Sequence, residues 1–348
     1  MKITIITDTD PDKFTVGGIH NYLRYLIPYL KKRKINVEII GRIRPKSKKN
    51  SIFYDNFIGL NCKNNYIFMI KLIKFFFRNL DTNVIFAQRA DFMFPFIFKK
   101  CKKIIVFHGN PFSTLLDKKG QIVSAVYSML ERISIRNADL IIVVNNAAKD
   151  YLKDKYSLNS KVILIPPAVD TKIFKPKDQT YLRGKYNFKI KDKIVLYVGR
   201  FSIEKQLDFI VHQITKIKDV KLVLVGEGKY KFDRHKNLKL LKPIVHEKLS
   251  EIINCADCLV LFSKYEGMPT VVLEALACGK PVISSNVGDI KKIVINGKTG
   301  FLTTKKSFLN SVKKVLHDPL LYKDNCVKIA YKYSWDKIAN NIIKLIQE

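Results

Sequence analysis

Residues 257–285 read DCLVLFSKYEGMPTVVLEALACGKPVISS. The apolar run DCLVLFS has the length and aliphatic content of a buried strand, SKYEGMPT is a polar loop, and VVLEALAC reads as a helix. Gly279 and Pro281 supply its stop signal, and PVISS opens a further strand. Strand, crossover helix, strand is the repeating unit of a parallel sheet. Within residues 271–278 Glu274 is the one position that is not apolar. A helix apolar on all sides is buried, and an ionised carboxylate can only accept hydrogen bonds, so Glu274 needs donors. Either a structural Lys or Arg supplies them, or the vicinal diol of a ligand such as a ribose does. Glu266, in the loop just ahead of the helix, points to the same crevice. Two acids flanking one helix start favour the polyol.

Outward from this segment the same pattern recurs. The runs KITIIT, NVEIIG, NVIFAQ, KIIVFHG, DLIIVVN and KVILIP form one set, and KIVLYVG, VKLVLVG, DCLVLFS and PVISS a second. Amphipathic stretches such as residues 18–31, 122–136 and 204–217 fall between them. Strands that are near-continuously apolar and alternate with helices predict parallel sheets covered on both faces. A polar stretch rich in Lys, Asp and Pro separates the sets, so residues 171–192 are expected to be a linker. The expected organisation is a first domain over 1–170, a second over 193–331, and a final amphipathic helix over 335–347. In such sheets ligands sit beyond the carboxyl ends of the strands.

The chain has 348 residues, 47% hydrophobic, with a net charge of +33 from 63 Lys and Arg against 30 Asp and Glu. That length suits two packed domains. Both halves are basic, which favours anionic partners or reflects a lysine-rich source proteome. Six scattered cysteines do not make a disulfide framework, the apolar run in MKITIITDTD is too short for a signal-peptide core, and no uncharged run of 18 residues occurs. A reducing, cytoplasmic setting is the expectation.

Three further strand ends carry chemistry. In TVGGIHNYLRYLIPYL, Gly17 and Gly18 let the backbone approach a ligand ahead of a helix N-terminus, or mark an ordinary turn. The pattern is not GxGxxG, so a nicotinamide cofactor is not indicated. In IIVFHGN, His108 either bonds a substrate hydroxyl or phosphate or is satisfied by backbone. In KIVLYVGRFSIEKQLDFI, Gly199, Arg200 and Lys205 make a diphosphate pocket, Arg as a planar fork and Lys as a point charge. Asp8, Asp10 and Asp12 have calcium-loop spacing, but Lys13 and Ile19 occupy the positions of the required Gly and Glu, so no metal site is expected. Cys255 and Cys258 lead into a buried strand and read as core residues.

Taken together these stretches resemble the retaining glycosyltransferases of family 4, over most of the chain. The resemblance is strongest in KIVLYVGRFSIEKQLDFI, VKLVLVGEG, CADCLVLFSKYEGMPTVVLEALACGKPVISSNVGDI and NGKTGFL, and the spacing of Glu266 and Glu274 is its most specific mark. It implies the GT-B fold: two Rossmann-like doubly wound domains facing across a cleft, with residues 332–348 crossing back to the first. It also implies a nucleotide-sugar donor, UDP- or GDP-linked, and no metal or other cofactor. Glu274 would take the ribose hydroxyls, and Arg200 and Lys205 would neutralise the diphosphate. Glu266 and the backbone of Gly267, Met268, Pro269 and Thr270 would position the sugar, with Gly199 and Gly226 lining the donor site. From the first domain Gly17 and Gly18 would approach the phosphates and His108 the sugar. Residues 288–292 (GDIKK) and Pro243 depart from the family pattern, which bears on the donor's identity.

The acceptor side is less legible. Residues 66–80, YIFMIKLIKFFFRNL, put Lys71, Lys74 and Arg78 on one helical face against a broad aromatic one. That helix either rests on an anionic membrane, as suits a lipid-linked acceptor, or is a core helix with a solvated stripe. Two other functions are alternatives. A sugar-nucleotide epimerase of the same fold would need no acceptor. A nucleic-acid-binding protein is suggested by charge alone, lacks a basic–aromatic motif and leaves Glu274 unexplained.

Overall fold

The computed structural model describes residues 1–11, 18–43, 53–108, 121–158, 161–228, 230, 232 and 235–348. The chain divides into two compact units, Met1–Pro166 with Ile338–Glu348, and Pro167–Lys337.

The first unit is built on a seven-stranded parallel sheet. Its strands are β1 (Lys2–Thr7), β2 (Asn36–Ile43), β3 (Asn56–Asn61), β4 (Val84–Ala87), β5 (Lys102–Phe107), β6 (Leu140–Val143) and β7 (Val162–Leu164), in the order β3-β2-β1-β4-β5-β6-β7. The sheet centre is apolar on both faces: Ile3, Ile5, Ile6, Ile85, Phe86, Ile104 and Ile105 are all fully buried. The second unit carries a six-stranded sheet of β8 (Lys193–Val198), β9 (Val220–Val225), β10 (Leu238–Leu241), β11 (Cys258–Leu261), β12 (Val282–Ser285) and β13 (Gly300–Thr303), in the order β10-β9-β8-β11-β12-β13. In both, strands add outward in one direction from the first and then start again on its other side. The switch points lie between β1 and β4 and between β8 and β11, where crevices open at the carboxyl ends of the strands.

Each of the ten apolar runs quoted above overlaps a strand. The strands without such a run, β3, β10 and β13, are all sheet edges. Their sequences, NFIGLN, LKLL and GFLT, are half-exposed rather than continuously buried. An edge strand is covered less fully, so it needs no unbroken apolar run.

Three expectations are corrected. Residues 171–192 are not a free linker but part of the second unit. Helix Gln179–Lys185 forms there, and Phe174, Leu182 and Phe188 enter that unit's core. The charges that suggested a linker have partners far along the chain: Arg183 forks onto Asp257 at 2.9 and 3.0 Å, and Lys221 bonds Asp192 at 2.6 Å. The helix expected over 204–217 is shorter. A 3₁₀ turn Ile203–Lys205 and Gln206, at φ 47°, precede helix Leu207–Ile214. Gln206 is held there by its amide, which donates to Phe262 O at 3.2 Å. The stretch 66–80 holds a helix only over Asn65–Leu72, followed by a 3₁₀ turn Ile73–Phe75.

Helix Trp335–Gln347 belongs to the first unit from Ile338 onward. There Lys102 Nζ donates to Leu345 O at 2.7 Å and Arg33 bonds Asn340 Oδ1 at 3.2 Å. Among the described residues no helix is long and apolar enough to cross a membrane.

Candidate functional site

At the switch point of the second unit the chain leaves β8 through Gly199 and β9 through Gly226. The backbones are in close contact: Gly199 N donates to Val225 O at 3.0 Å and Phe201 N to Glu227 O at 2.8 Å. A Cβ on Gly226, whose φ is 153°, would lie 1.9 Å from Gly199 O, so only glycine fits. Arg200 follows, exposed, with its carbonyl accepting the Tyr197 hydroxyl at 2.9 Å. Its guanidinium forms no ion pair among the described residues.

Lys205 ends the 3₁₀ turn and its ammonium pairs with Glu266 Oε1 in the loop after β11. Ser263 Oγ donates to the same oxygen at 2.8 Å, and Ser285 Oγ ties Ser263 O at 2.7 Å. Lys264 N donates to Glu204 O at 2.8 Å, so the loops after β8 and β11 are joined by backbone as well. Gly288 completes the support. At φ 57° it stacks on the Glu266–Gly267 backbone, where a Cβ would lie 2.1 Å from Glu266 O, and Asp289 N donates to Gly267 O at 2.9 Å.

Helix Thr270–Ala277 starts directly after this loop, with Pro269 at its N-cap and no side chain capping it. Val272 N already donates to Pro269 O at 3.1 Å, which leaves the amides of Thr270 and Val271 to face an anion. One turn in, Glu274 is 6% exposed. Burial lifts its carboxyl above the usual carboxylate range, with His246 and the Thr270 side chain drawing it partway back. Among the described residues no Lys or Arg forms an ion pair with it, so the structural Lys or Arg partner that is one reading of this acid is missing; its neighbours are His246 and the Thr270 hydroxyl. What the arrangement offers is closely packed glycine backbone, two cations, a helix start that no side chain caps and a desolvated acceptor, all at the carboxyl ends of neighbouring strands.

The first unit's switch point is chemically different. Asp8, just past β1, accepts from Asn65 Nδ2 at 2.7 Å through Oδ2, while its Oδ1 is buried without a partner. Gln88, just past β4, has its Oε1 2.7 Å from His108 Nε2, and its own Nε2 is buried and unpaired. The His108 ring meets Tyr22 edge-on at 5.0 Å. Burial pushes its imidazole down to about 4, so it is neutral at physiological pH. With Nε2–H directed at Gln88, Nδ1 is left as an acceptor. Beside it Arg89 forks onto Asp91 at 2.9 and 3.0 Å, with its guanidinium 4.9 Å from the Phe92 ring centre. Gly18 is the exposed first residue of helix Gly18–Lys32, with open space where its Cβ would be. Gly17, Asp12 and Lys13 lie outside the described residues.

Two family models cover most of the chain: "Glycosyltransferase Family 4" matches residues 16–173 and "Glycosyl transferases group 1" residues 178–334. The chain belongs to glycosyltransferase family 4.

Its relatives include N-acetyl-alpha-D-glucosaminyl L-malate synthase of Bacillus anthracis, 27% identical over 50% of this chain and 48% of that protein. An uncharacterized glycosyltransferase of Methanocaldococcus jannaschii is 30% identical over 61% of this chain and 60% of that one. The family 4 chain thus spans about half to three fifths of these relatives' lengths. Among solved structures, sucrose-phosphate synthase from Thermosynechococcus elongatus superposes with a TM-score of 0.85 at 22% identity, over 99% of this chain and 98% of that one. Anabaena HepE in complex with UDP-glucose gives 0.76 at 16% identity, over 100% and 99%. The two parallel sheets are those of the GT-B fold.

The second unit brings Gly199, Arg200, Lys205, Gly226, Glu266, Gly267, Met268, Pro269, Thr270 and Glu274 onto the ends of β8, β9 and β11, and His108 stands at the end of β5 in the first unit. Sequence reasoning passed over Ser263, Gly288, Asp8, Gln88 and the Arg89–Asp91 pair. Ser263 and Gly288 sit inside quoted motifs. Asp8 was weighed only as a metal ligand.

Proposed function

We propose that this family 4 chain is a retaining glycosyltransferase that moves a hexose from a UDP- or GDP-linked donor to a glycan or lipid-linked acceptor. The observation that carries this reading is Glu274: a desolvated carboxylate with no Lys or Arg ion pair among the described residues, one helical turn behind a helix start that no side chain caps. A ribose diol supplies two donors to such a group, and the diphosphate then falls among Arg200, Lys205 and the first amides of helix Thr270–Ala277. UDP-glucose in the HepE complex is consistent with a donor of this class.

In the reaction the bond from the anomeric carbon to the β-phosphate oxygen breaks, and its electrons go to the diphosphate. The acceptor hydroxyl attacks the same face, and its proton passes to the departing phosphate oxygen. Configuration is retained without a protein nucleophile. Arg200 and Lys205 stabilise the negative charge that develops on the leaving group. Glu266 is held by Lys205 and Ser263 through Oε1, and its Oε2 is free among the described residues to orient a sugar hydroxyl. His108, neutral and with Nδ1 as an acceptor, suits a hydroxyl rather than a phosphate. The cations make metal unnecessary, so EDTA is expected to leave transfer unchanged; activity lost to EDTA and restored by a divalent ion contradicts this.

A lipid-linked acceptor is favoured by one surface of the first unit. Phe77 is 88% and Phe98 72% exposed, and both rings touch Phe76, at 5.4 and 5.3 Å. Lys74 and Arg78 flank them, each over the Phe75 ring. Exposed aromatics rimmed by cations match an anionic bilayer surface. Flotation with phosphatidylglycerol vesicles is expected for the wild type and lost in Phe77→Ser/Phe98→Ser. Equal flotation of both proteins rejects this surface.

The reading as a whole is tested by incubating UDP-, GDP- and ADP-sugars with the protein and following hydrolysis. Slow release of sugar with the anomeric configuration kept is expected, and interconversion of sugar nucleotides without release points to an epimerase instead.

A further inference from the structure

The second unit holds a cavity of about 210 Å³ at the amino ends of β11 and β12, the opposite edge of the sheet from Gly199 and Glu266. Its wall includes Asn254 and Asp257 ahead of β11, Lys280 ahead of β12, Lys177 and Gln179 at the entry to helix Gln179–Lys185, and Lys323.

The wall's neutral polar groups are committed to the fold. Asn254 Oδ1 accepts from Lys177 N at 2.9 Å, and its Nδ2 donates to Ser250 O at 2.9 Å and Lys175 O at 3.0 Å. Gln179 Nε2 donates to Ala256 O at 3.0 Å. Asp257 is the one acid among the wall residues, and both its oxygens are taken. Arg183 forks onto them at 2.9 and 3.0 Å, and Ile194 N donates at 2.7 Å. The wall's cations are three ammoniums, those of Lys177, Lys280 and Lys323. None is in an ion pair among the described residues.

Two of the three are positioned by the end of helix Thr270–Ala277. Gly279 N donates to Leu276 O and Lys280 N to Ala275 O, both at 2.9 Å, with Gly279 at φ 74°: a Schellman close that fixes the Lys280 backbone. Lys323 lays its stem over Gly279, where a Cβ would come 2.8 Å from its Cγ. Three like charges around a small cavity repel one another; Lys177 and Lys280 are half-buried and Lys323 is exposed. Such a cluster is relieved by a bound anion.

We propose that this cavity binds a phosphate-type anion, inorganic phosphate or the phosphate of a small phosphomonoester, between Lys177, Lys280 and Lys323. Its volume falls below the roughly 300–1,000 Å³ that larger organic ligands occupy, so a nucleotide sugar does not fit. Burial pushes Lys280 down to about 8. The charged and titratable groups around it are Asp257, Arg183, Lys177, Lys323 and the thiols of Cys255 and Cys278. Burial lifts those thiols to about 11 and about 12, so they stay neutral. Anion affinity is therefore governed by the Lys280 proton.

The test is a ³¹P NMR titration of inorganic phosphate into the full chain, at constant ionic strength in a chloride buffer. Saturable binding is expected, weakened at least tenfold by Lys280→Gln and unchanged by Arg200→Gln. It should fall about tenfold from pH 7 to pH 9, as Lys280 passes from mostly charged to mostly neutral. Absence of saturable binding overturns the proposal. So does binding lost in Arg200→Gln but kept in Lys280→Gln, which puts the ion at the other edge of the sheet. If Lys280→Gln does not fold, Lys323→Gln decides: weaker binding supports the site, and unchanged affinity rejects it.

Discussion

The two units wind their sheets in the same order, yet their switch points hold different chemistry. In the second unit the strand ends are glycines packed backbone to backbone, followed by Arg200, the Lys205–Glu266 pair and an uncapped helix start. In the first unit the corresponding ends carry Asp8, Gln88 and a neutral His108, with amide and carboxylate atoms left unpaired. On the proposed reading one switch point suits phosphate and ribose, the other uncharged hydroxyls. The scaffold determines where a ligand goes, and a few residues past each strand determine what it is.

The largest expected effect separates the glycines of the two units. Gly226→Ala drives a Cβ into Gly199 O and should cost more than about 4 kcal/mol, enough to prevent folding of the second unit. Gly18→Ala meets open space and should shift stability by less than about 0.5 kcal/mol. Thermal unfolding of both proteins decides; similar melting temperatures would break the contrast.

Next, Lys205→Ala removes a cation proposed to face the leaving group and should lower kcat by about 10²–10³-fold. It also strands a largely buried Glu266. Adding Glu266→Gln should therefore restore melting temperature without restoring turnover. Additive losses of stability would show that the pair is not coupled.

Smaller effects follow from protonation. His108 takes up a proton less readily folded than unfolded, so the unfolded chain binds more protons below its ordinary value near 6.5. Stability should thus fall as pH drops from about 6.5 toward 4, and His108→Gln should flatten that slope while lowering kcat by about tenfold through the lost hydroxyl contact. An unchanged slope in the variant would place the effect elsewhere.

The interior of the fold was legible because a strand covered on both faces must be apolar throughout. KIVLYV and KITIIT advertise themselves, whereas LKLL and GFLT, at sheet edges, do not. The linker reading failed for a related reason: Arg183 and Asp192 look like solvated charges until Asp257 and Lys221, far along the chain, come into contact with them. Much of the candidate donor site was legible through local motifs, since Glu266 and Glu274 flank one helix start. The pairing of Lys205 with Glu266 was not, because it depends on two loops meeting across the switch point. Asp8 showed locally only a metal-like spacing and Gln88 only the end of an apolar run, as each gains meaning from the strand beside it.

On the proposed reading Glu274, buried and without a Lys or Arg ion pair among the described residues, is kept for a ligand. Burial raises its carboxyl in the folded chain, so the charged form destabilises the fold, and that cost grows as pH rises through the raised value. Glu274→Gln should therefore melt higher than wild type at pH 7, with the gap closing toward pH 4. The same variant should bind the preferred nucleoside diphosphate about 10–100-fold more weakly, as expected for losing hydrogen bonds to a charged group. Calorimetric titration of UDP and GDP into both proteins is the direct measurement. Weakened binding by a more stable variant is the predicted result, and unaltered binding would contradict the account.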